Sequence, residues 1–187
     1  MKPTNENLQE FAEPELARWL IRAAEHRSDL TYGDAMRRLE KDIGFSSIGR
    51  ATRLGYPAGG MMHRMHEVNS RAPLLNVLLV LQSDRMPSDG ARSFLADRFR
   101  KPALAKEGSR EEHPKKWRKA FERAAAEVYA FDGWRDLFEE TFGKPFEDRG
   151  HSSYLYDLQA GSEADGHTFD SQRGSLGACC LPECQAE

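Results

Sequence analysis

The residues in this chain with the clearest chemical potential are two histidines, His63 and His66, which are three positions apart. On a helix this spacing places both imidazoles on one face, where they could share a metal ion. A zinc site has about four ligands, and no third ligand is evident near this pair in the sequence. We therefore favour an exposed or partly buried pair without a metal, and keep a metal-dependent nuclease built on His63 and His66 as an alternative hypothesis.

Residue types for nucleophilic catalysis are also present, in the pair Ser46-Ser47, in His63 and in Asp84. Their spacing supports no catalytic triad, in which a base must orient the nucleophile and a third group must orient the base. The glycine-containing stretch "GYPAGG" lacks the Lys-Ser/Thr that follows in a phosphate-binding loop. We therefore expect a protein without catalytic residues.

Three cysteines, Cys179, Cys180 and Cys184, are crowded near the end of the chain. An odd number in one place does not make a disulfide framework. Their thiolates could bind a soft metal together with His151 or His167, but we expect incidental cysteines in an unstructured segment. Neither a metal nor a cofactor is predicted.

Arginines bracket a predicted helix that starts near Pro57, and one more lies in a polar turn that follows a predicted strand. Guanidinium groups in such positions can bind the phosphates of a duplex while a helix lies in a groove. The predicted DNA-binding residues are Arg50, Arg53, His63, Arg64, Arg71 and Arg85.

The overall charge of −3 means that a nucleic-acid role must depend on a local patch. The most basic segment extends from Lys101 to Lys119, with seven Lys and Arg against three Glu. The apolar run from Leu74 to Leu81 is far shorter than the roughly 18 residues that a membrane helix needs. The N-terminus has no apolar segment typical of a signal peptide. We expect a soluble, cytoplasmic protein.

Apolar residues recur at helical spacing over most of the chain, and we predict that Met61, Met62, Met65 and Val68 form the buried side of the helix that starts near Pro57. Thr31 is a suitable N-cap, with Asp34 three residues on, and Gly44 is a suitable stop. The continuous apolar run after Pro73 predicts a strand, and "SDRMPSDG" predicts a turn. "ARSFLADRF" could form a second strand or a helix. The predicted helices cover residues 13–26, 31–43, 57–69, 114–129 and 131–143.

These elements predict a mostly helical α+β fold with a winged helix-turn-helix core and a small β-hairpin as the wing. Residues 13–145 form the predicted domain. Residues 1–12 are expected to be a flexible N-terminus, and residues 146–187 a disordered tail because their apolar pattern is incoherent.

The stretches "LTYGDAMRRL" and "GYPAGGMMHRMHEVNSRAPLLNVLLVLQ" resemble the winged-helix half of the alkyltransferase-like DNA-repair proteins. In that family a strand opens with Pro-Cys-His-Arg, whose cysteine accepts the alkyl group. Here the corresponding residues read "PLLNVLLV". Because the nucleophile would be a thiolate, the resemblance implies DNA binding without alkyl transfer.

The chain is also similar to a poorly characterised bacterial module found N-terminal to restriction-endonuclease-like domains. The matching positions are Tyr32, Gly33, Met62, Asn69, Pro73, Leu74, Pro87, Gly90, Tyr129, Phe131, Asp132 and Trp134. No nuclease signature follows them. This resemblance implies the recognition module of a bacterial restriction or defence system without its nuclease domain.

Non-catalytic binding of double-stranded DNA is therefore the predicted function. The alternative is a protein–protein interaction or inhibitor module that uses the winged helix as a scaffold. Its acidic face would be centred on Glu139, Glu140, Glu147 and Asp148.

Overall fold

The computed structural model describes residues 1–147, most of which are helical. The α-helices are α1 (Asn5–Asn7), α2 (Glu13–Glu25), α3 (Tyr32–Arg38), α4 (Gly55–Val68), α5 (Arg92–Phe99), α6 (Ser109–Glu112), α7 (Pro114–Tyr129) and α8 (Trp134–Phe142). Wider π turns at Leu8–Ala12 and Leu39–Ile43 join α1 to α2 and extend α3. Four short 3₁₀ segments cover Ala51–Leu54, Leu75–Leu78, Asp89–Ala91 and Pro102–Ala105. The two short strands are β1 (Leu30–Thr31) and β2 (Leu79–Val80).

The helix predicted for residues 31–43 begins and ends where its sequence indicates. The Thr31 hydroxyl accepts a hydrogen bond from the Asp34 backbone N–H at 3.0 Å, which satisfies one of the free donors at the start of α3. Gly44 ends the π turn after α3 in the left-handed conformation, with φ of 78°. The predicted cap and the predicted stop are both confirmed.

Helix α4 packs against α2 with its methionines turned inward. Met61, Met62 and Met65 are all fully buried, which confirms that this cluster fills the core, whereas Val68, predicted on the same side, is 38% exposed at the end of the helix. Gly60 allows the two helices to approach closely. A Cβ atom at Gly60 would lie 2.1 Å from Oε1 of Glu13 in α2, so any larger residue would displace that carboxylate.

The strand predicted after Pro73 does not pair with a following strand in a hairpin. β2 pairs in parallel with β1, in the register Leu30 with Leu79 and Thr31 with Val80. Only Leu79–Val80 of the predicted strand is extended, and Leu75–Leu78 forms a 3₁₀ turn instead. Every residue from Pro73 to Val80 is nevertheless buried. A wing that faces solvent would instead alternate apolar and polar residues.

The predicted β-hairpin is reduced to a tight turn after β2. Val80 and Pro87 form one antiparallel bridge, and the Leu81 N–H donates to the Met86 carbonyl at 2.8 Å. The segment that could have returned as a second strand is helix α5. The described chain is therefore mostly helical with a two-stranded parallel sheet.

The N-terminus also differs from the expectation that residues 1–12 are flexible. Leu8 and Ala12 are fully buried, and the Met1 ammonium donates to the Gly44 carbonyl at 2.6 Å. The apolar side chains of this short helix complete the core next to α2 and α4, so the compact unit extends over Met1–Phe146. Of the tail predicted to be disordered, residues 148–187 lie outside the described part of the chain.

None of the helices in residues 1–147 has the length and apolar character required to cross a membrane.

Candidate nucleic-acid interface

Helix α4 exposes only a narrow strip to solvent. The exposed residues on this strip are Tyr56, His63, Arg64, Glu67 and Val68, and Tyr56 is 52% exposed. The His63 ring packs against the ring of Phe94 in α5, with 5.0 Å between the centroids. On this strip a partner would meet an aromatic hydroxyl, an imidazole, a carboxylate and a valine, with Arg64 as the one cation of α4 itself.

Arg64, one of the predicted DNA-binding residues, is bound to a buried carboxylate. Its guanidinium forms an ion pair with Glu13 at 3.3 Å, and Glu13 is 0% exposed. Burial raises the pKa of the Glu13 carboxyl, and the nearby Arg64 charge partly opposes that rise. Arg64 therefore compensates an internal charge and offers little net charge to an external phosphate.

Arg85 is likewise engaged inside the molecule. It forms an ion pair with Asp29, which immediately precedes β1. Burial raises the pKa of Asp29, and Arg85 lowers it in return. Arg85 has the left-handed backbone conformation, with φ of 54°, which fixes the tight turn after β2. The structure places this residue against Asp29 rather than at the tip of an extended wing.

Three other predicted residues have no acidic partner among residues 1–147. Arg53 donates to the carbonyls of Pro3 at 2.7 Å and Ile48 at 3.3 Å, and it has no acidic partner within residues 1–147. Arg50 and Arg71 are exposed, and neither forms an ion pair with any described residue. Arg50 and Arg53 precede α4 and Arg71 follows it, so the 14 residues of α4 separate them by about 20 Å.

The two histidines of α4 have separate environments. His66 Nε2 lies 3.1 Å from the Ala72 carbonyl oxygen, whereas His63 stacks on Phe94. Burial lowers the pKa of His66, which favours its neutral form. In residues 1–147 no three His, Cys, Asp or Glu side chains converge as a metal site would require.

A more basic surface lies on α7, beyond the predicted set. Lys115, Lys116, Arg118 and Lys119 are exposed, and none of them has an ionic partner in the described part of the chain. Arg123 follows on the same helix and contacts the ring of Phe99 in α5 at 4.6 Å from its centroid. The sequence identifies Lys101 to Lys119 as the most basic segment, but predicts a helix within it only from residue 114 onward. The helical periodicity from Pro114 onward was the signal that places these cations on one surface.

The charge balance differs along the chain. Residues 1–147 contain 25 Lys and Arg and 23 Asp and Glu, a net charge of +2, whereas the whole chain carries −3. The compact unit is therefore less acidic than the composition of the whole chain suggests.

Comparisons with known proteins return no match for this chain among family models, curated proteins or solved structures. A functional assignment therefore depends on the geometry and charge described above.

Proposed function

We propose that this protein binds double-stranded DNA without catalysing a reaction on it, and that α3, α4 and β2 with its following turn act as a winged-helix-like core. The order of these elements along the chain supports the proposal. The wing would be short, because the turn after β2 is held by one antiparallel bridge and by the pairing of Arg85 with Asp29.

The observation that carries the proposal is the placement of uncompensated arginines at both ends of α4. Arg50 and Arg53 stand before the helix and Arg71 stands after it, none with an acidic partner in residues 1–147. Arginines in such positions can contact phosphates on either side of a groove, and phosphate contacts supply most of the affinity of non-specific binding. Arg64 and Arg85 would contribute less, because each is paired with a carboxylate of the protein, and His63 would contribute less because its ring packs against Phe94.

The proposal excludes alkyl transfer for a chemical reason. The segment Pro73–Val80 carries no cysteine, and a thiolate is the nucleophile of that reaction. The protein would instead serve as a recognition module in a bacterial restriction or defence system, with any nuclease supplied by a separate chain.

A binding titration with a short DNA duplex tests the proposal. The variants Arg50→Ala and Arg71→Ala should each weaken binding and each lower the slope of log affinity against log salt by about 0.9, the value for one lost phosphate contact. The matched control is Arg27→Asn, which removes an exposed cation beyond the far end of α2 from Glu13. Asparagine suits this position because residue 27 has the left-handed conformation, with φ of 51°.

The proposal fails if the unaltered protein does not bind a duplex at low salt. If Arg27→Asn weakens binding as much as Arg50→Ala and Arg71→Ala do, the assignment to the ends of α4 is wrong.

A further inference from the structure

The exposed side of α7 carries a row of cations. Lys116, Lys119 and Arg123 are spaced three and four residues apart, so they lie on one face of the helix. All three are exposed, and Arg123 is 67% exposed even though it lies 3.5 Å from Glu127. Over seven residues this row extends about 10 Å.

The two lysines in the first turn of α7, Lys115 and Lys116, do not help this helix to form. Its first turn contains no acidic residue, and no side chain caps its first N–H groups. The positive end of a helix dipole favours acidic side chains and disfavours lysines. Lys115 and Lys116 are thus placed where they oppose the stability of the helix, which indicates that they serve to bind another molecule.

The row is continuous with one end of the α4 surface. Arg98 in α5 donates to the carbonyl of Arg71 at 3.3 Å and forms an ion pair with Glu127 of α7 at 2.8 Å. The exposed Arg100 and Lys101 follow directly after α5. We call the resulting surface the basic band; its members are Arg71, Arg100, Lys101, Lys116, Lys119 and Arg123.

Few acidic residues interrupt the basic band. Glu127 is bound to Arg98 and lies near Arg123, so its charge is compensated within the fold. Asp97 and Glu122 are exposed on α5 and α7. With Arg98 included, the basic band and these neighbours comprise seven cations and three carboxylates, so their net charge is clearly positive.

We propose that the basic band binds the phosphate backbone of the same DNA duplex, and that α7 rather than α4 makes most of the phosphate contacts. The inference rests on the proposed DNA-binding function. Phosphates along one DNA strand are about 3.4 Å apart along the helix axis, so the row on α7 matches a run of about three phosphates. Arg71 joins the two surfaces, and a backbone that leaves the end of α4 can continue along α5 and α7.

The triple variant Lys101→Gln, Lys116→Gln and Lys119→Gln tests this inference in the full-length chain. Glutamine keeps an extended side chain and removes the charge, and none of these lysines has an ionic partner among residues 1–147, so the fold should be preserved. Loss of three phosphate contacts should lower the salt slope by about 2.7. Glu122→Gln should raise affinity, because it removes an exposed carboxylate from α7.

The outcomes separate this inference from the proposed function. If the triple variant loses affinity and slope while Arg27→Asn does not, the inference is supported, whatever the result for Arg50→Ala. If the triple variant binds like the unaltered protein while Arg50→Ala and Arg71→Ala weaken binding, the basic band is not a DNA surface although the proposed function stands. If the unaltered protein binds no duplex at low salt, both fail.

A competition experiment tests whether the basic band prefers DNA to other polyanions. Polyglutamate carries negative charge at a lower density than a duplex, and it should displace the duplex poorly. If polyglutamate of equal total charge competes as well as unlabelled duplex, and the triple variant weakens both equally, the basic band recognises acidic polymers in general and the inference is wrong.

Discussion

The close contact between α2 and α4 gives the sharpest prediction about stability, through the neighbouring glycines Gly59 and Gly60. A Cβ atom at Gly60 would lie 2.1 Å from Oε1 and 3.1 Å from Cδ of Glu13, whereas at Gly59 its nearest neighbour would be the Phe94 ring at 3.9 Å. The first contact is a clash and the second is ordinary packing. Gly60→Ala and Gly59→Ala therefore make the same chemical change in the same helix with opposite expected effects.

The size of the difference follows from what must move. Glu13 is 0% exposed and paired with the half-exposed Arg64, so the added methyl group would displace a buried carboxylate from its partner. Breaking such a pair costs about 3–5 kcal/mol, and replacing glycine by alanine within a helix returns about 1 kcal/mol. We expect Gly60→Ala to destabilise the protein by about 2–4 kcal/mol and Gly59→Ala to stabilise it by about 0.5–1 kcal/mol.

Urea or thermal unfolding of both variants measures these changes. At this size each kcal/mol corresponds to about 2–4 °C in Tm. The double variant Glu13→Ala with Gly60→Ala provides the matched control, because without the carboxylate the clash disappears. In the Glu13→Ala background Gly60→Ala should be neutral or stabilising. Equal effects of the two glycine substitutions, or a cost at Gly60 that persists without Glu13, would refute the packing described for α2 and α4.

Two further predictions concern the buried carboxylates. Burial raises the folded-state pKa of Glu13 above its usual 4.5, so the folded protein binds a proton at this carboxyl more tightly than the unfolded chain does. The resulting gain in the free energy of unfolding is fully present below pH 4.5 and is lost as pH rises through the raised pKa. Relative to Glu13→Gln, the unaltered protein should therefore gain stability as pH is lowered from neutral toward 4.5, and a difference independent of pH in denaturant unfolding would contradict the raised pKa. Arg85→Ala should destabilise the protein by about 1–3 kcal/mol, because it leaves the half-buried Asp29 unpaired. The double variant with Asp29→Ala should recover part of that loss, and DNA affinity should change little; a large loss of affinity in Arg85→Ala at unchanged stability would instead assign this residue to the interface.

Local signals in the sequence predicted the local structure. The Thr31 cap, the stop at Gly44 and the buried face of Met61, Met62 and Met65 depend on residues close in the chain, and all are confirmed. The start of α4 was placed two residues late, because "GYPAGG" suggests a loop by composition.

Long-range partners could not be predicted in the same way. Glu13 resembled an ordinary acidic residue at a helix start, yet it is buried against Gly60, a contact between residues 47 positions apart. The pairing of β2 with β1 likewise joins residues 49 positions apart and takes the place of the expected hairpin. No periodic pattern within one segment carries such information.

The candidate site was predicted only in part. Arginines could be counted from the sequence, but whether a guanidinium is free or bound to a buried carboxylate depends on the fold. The structure engages Arg64 and Arg85 internally and leaves Arg50, Arg53 and Arg71 without acidic partners in residues 1–147.

The central claim is DNA binding through several phosphate contacts, and the salt dependence of duplex affinity for the unaltered protein tests it most directly. The arginines at the ends of α4 that lack acidic partners in residues 1–147, together with the basic band, would contact about five to eight phosphates, which predicts a slope of about −4 to −7 in log affinity against log salt. Absence of duplex binding at low salt, or an affinity that does not change with salt, would contradict the account.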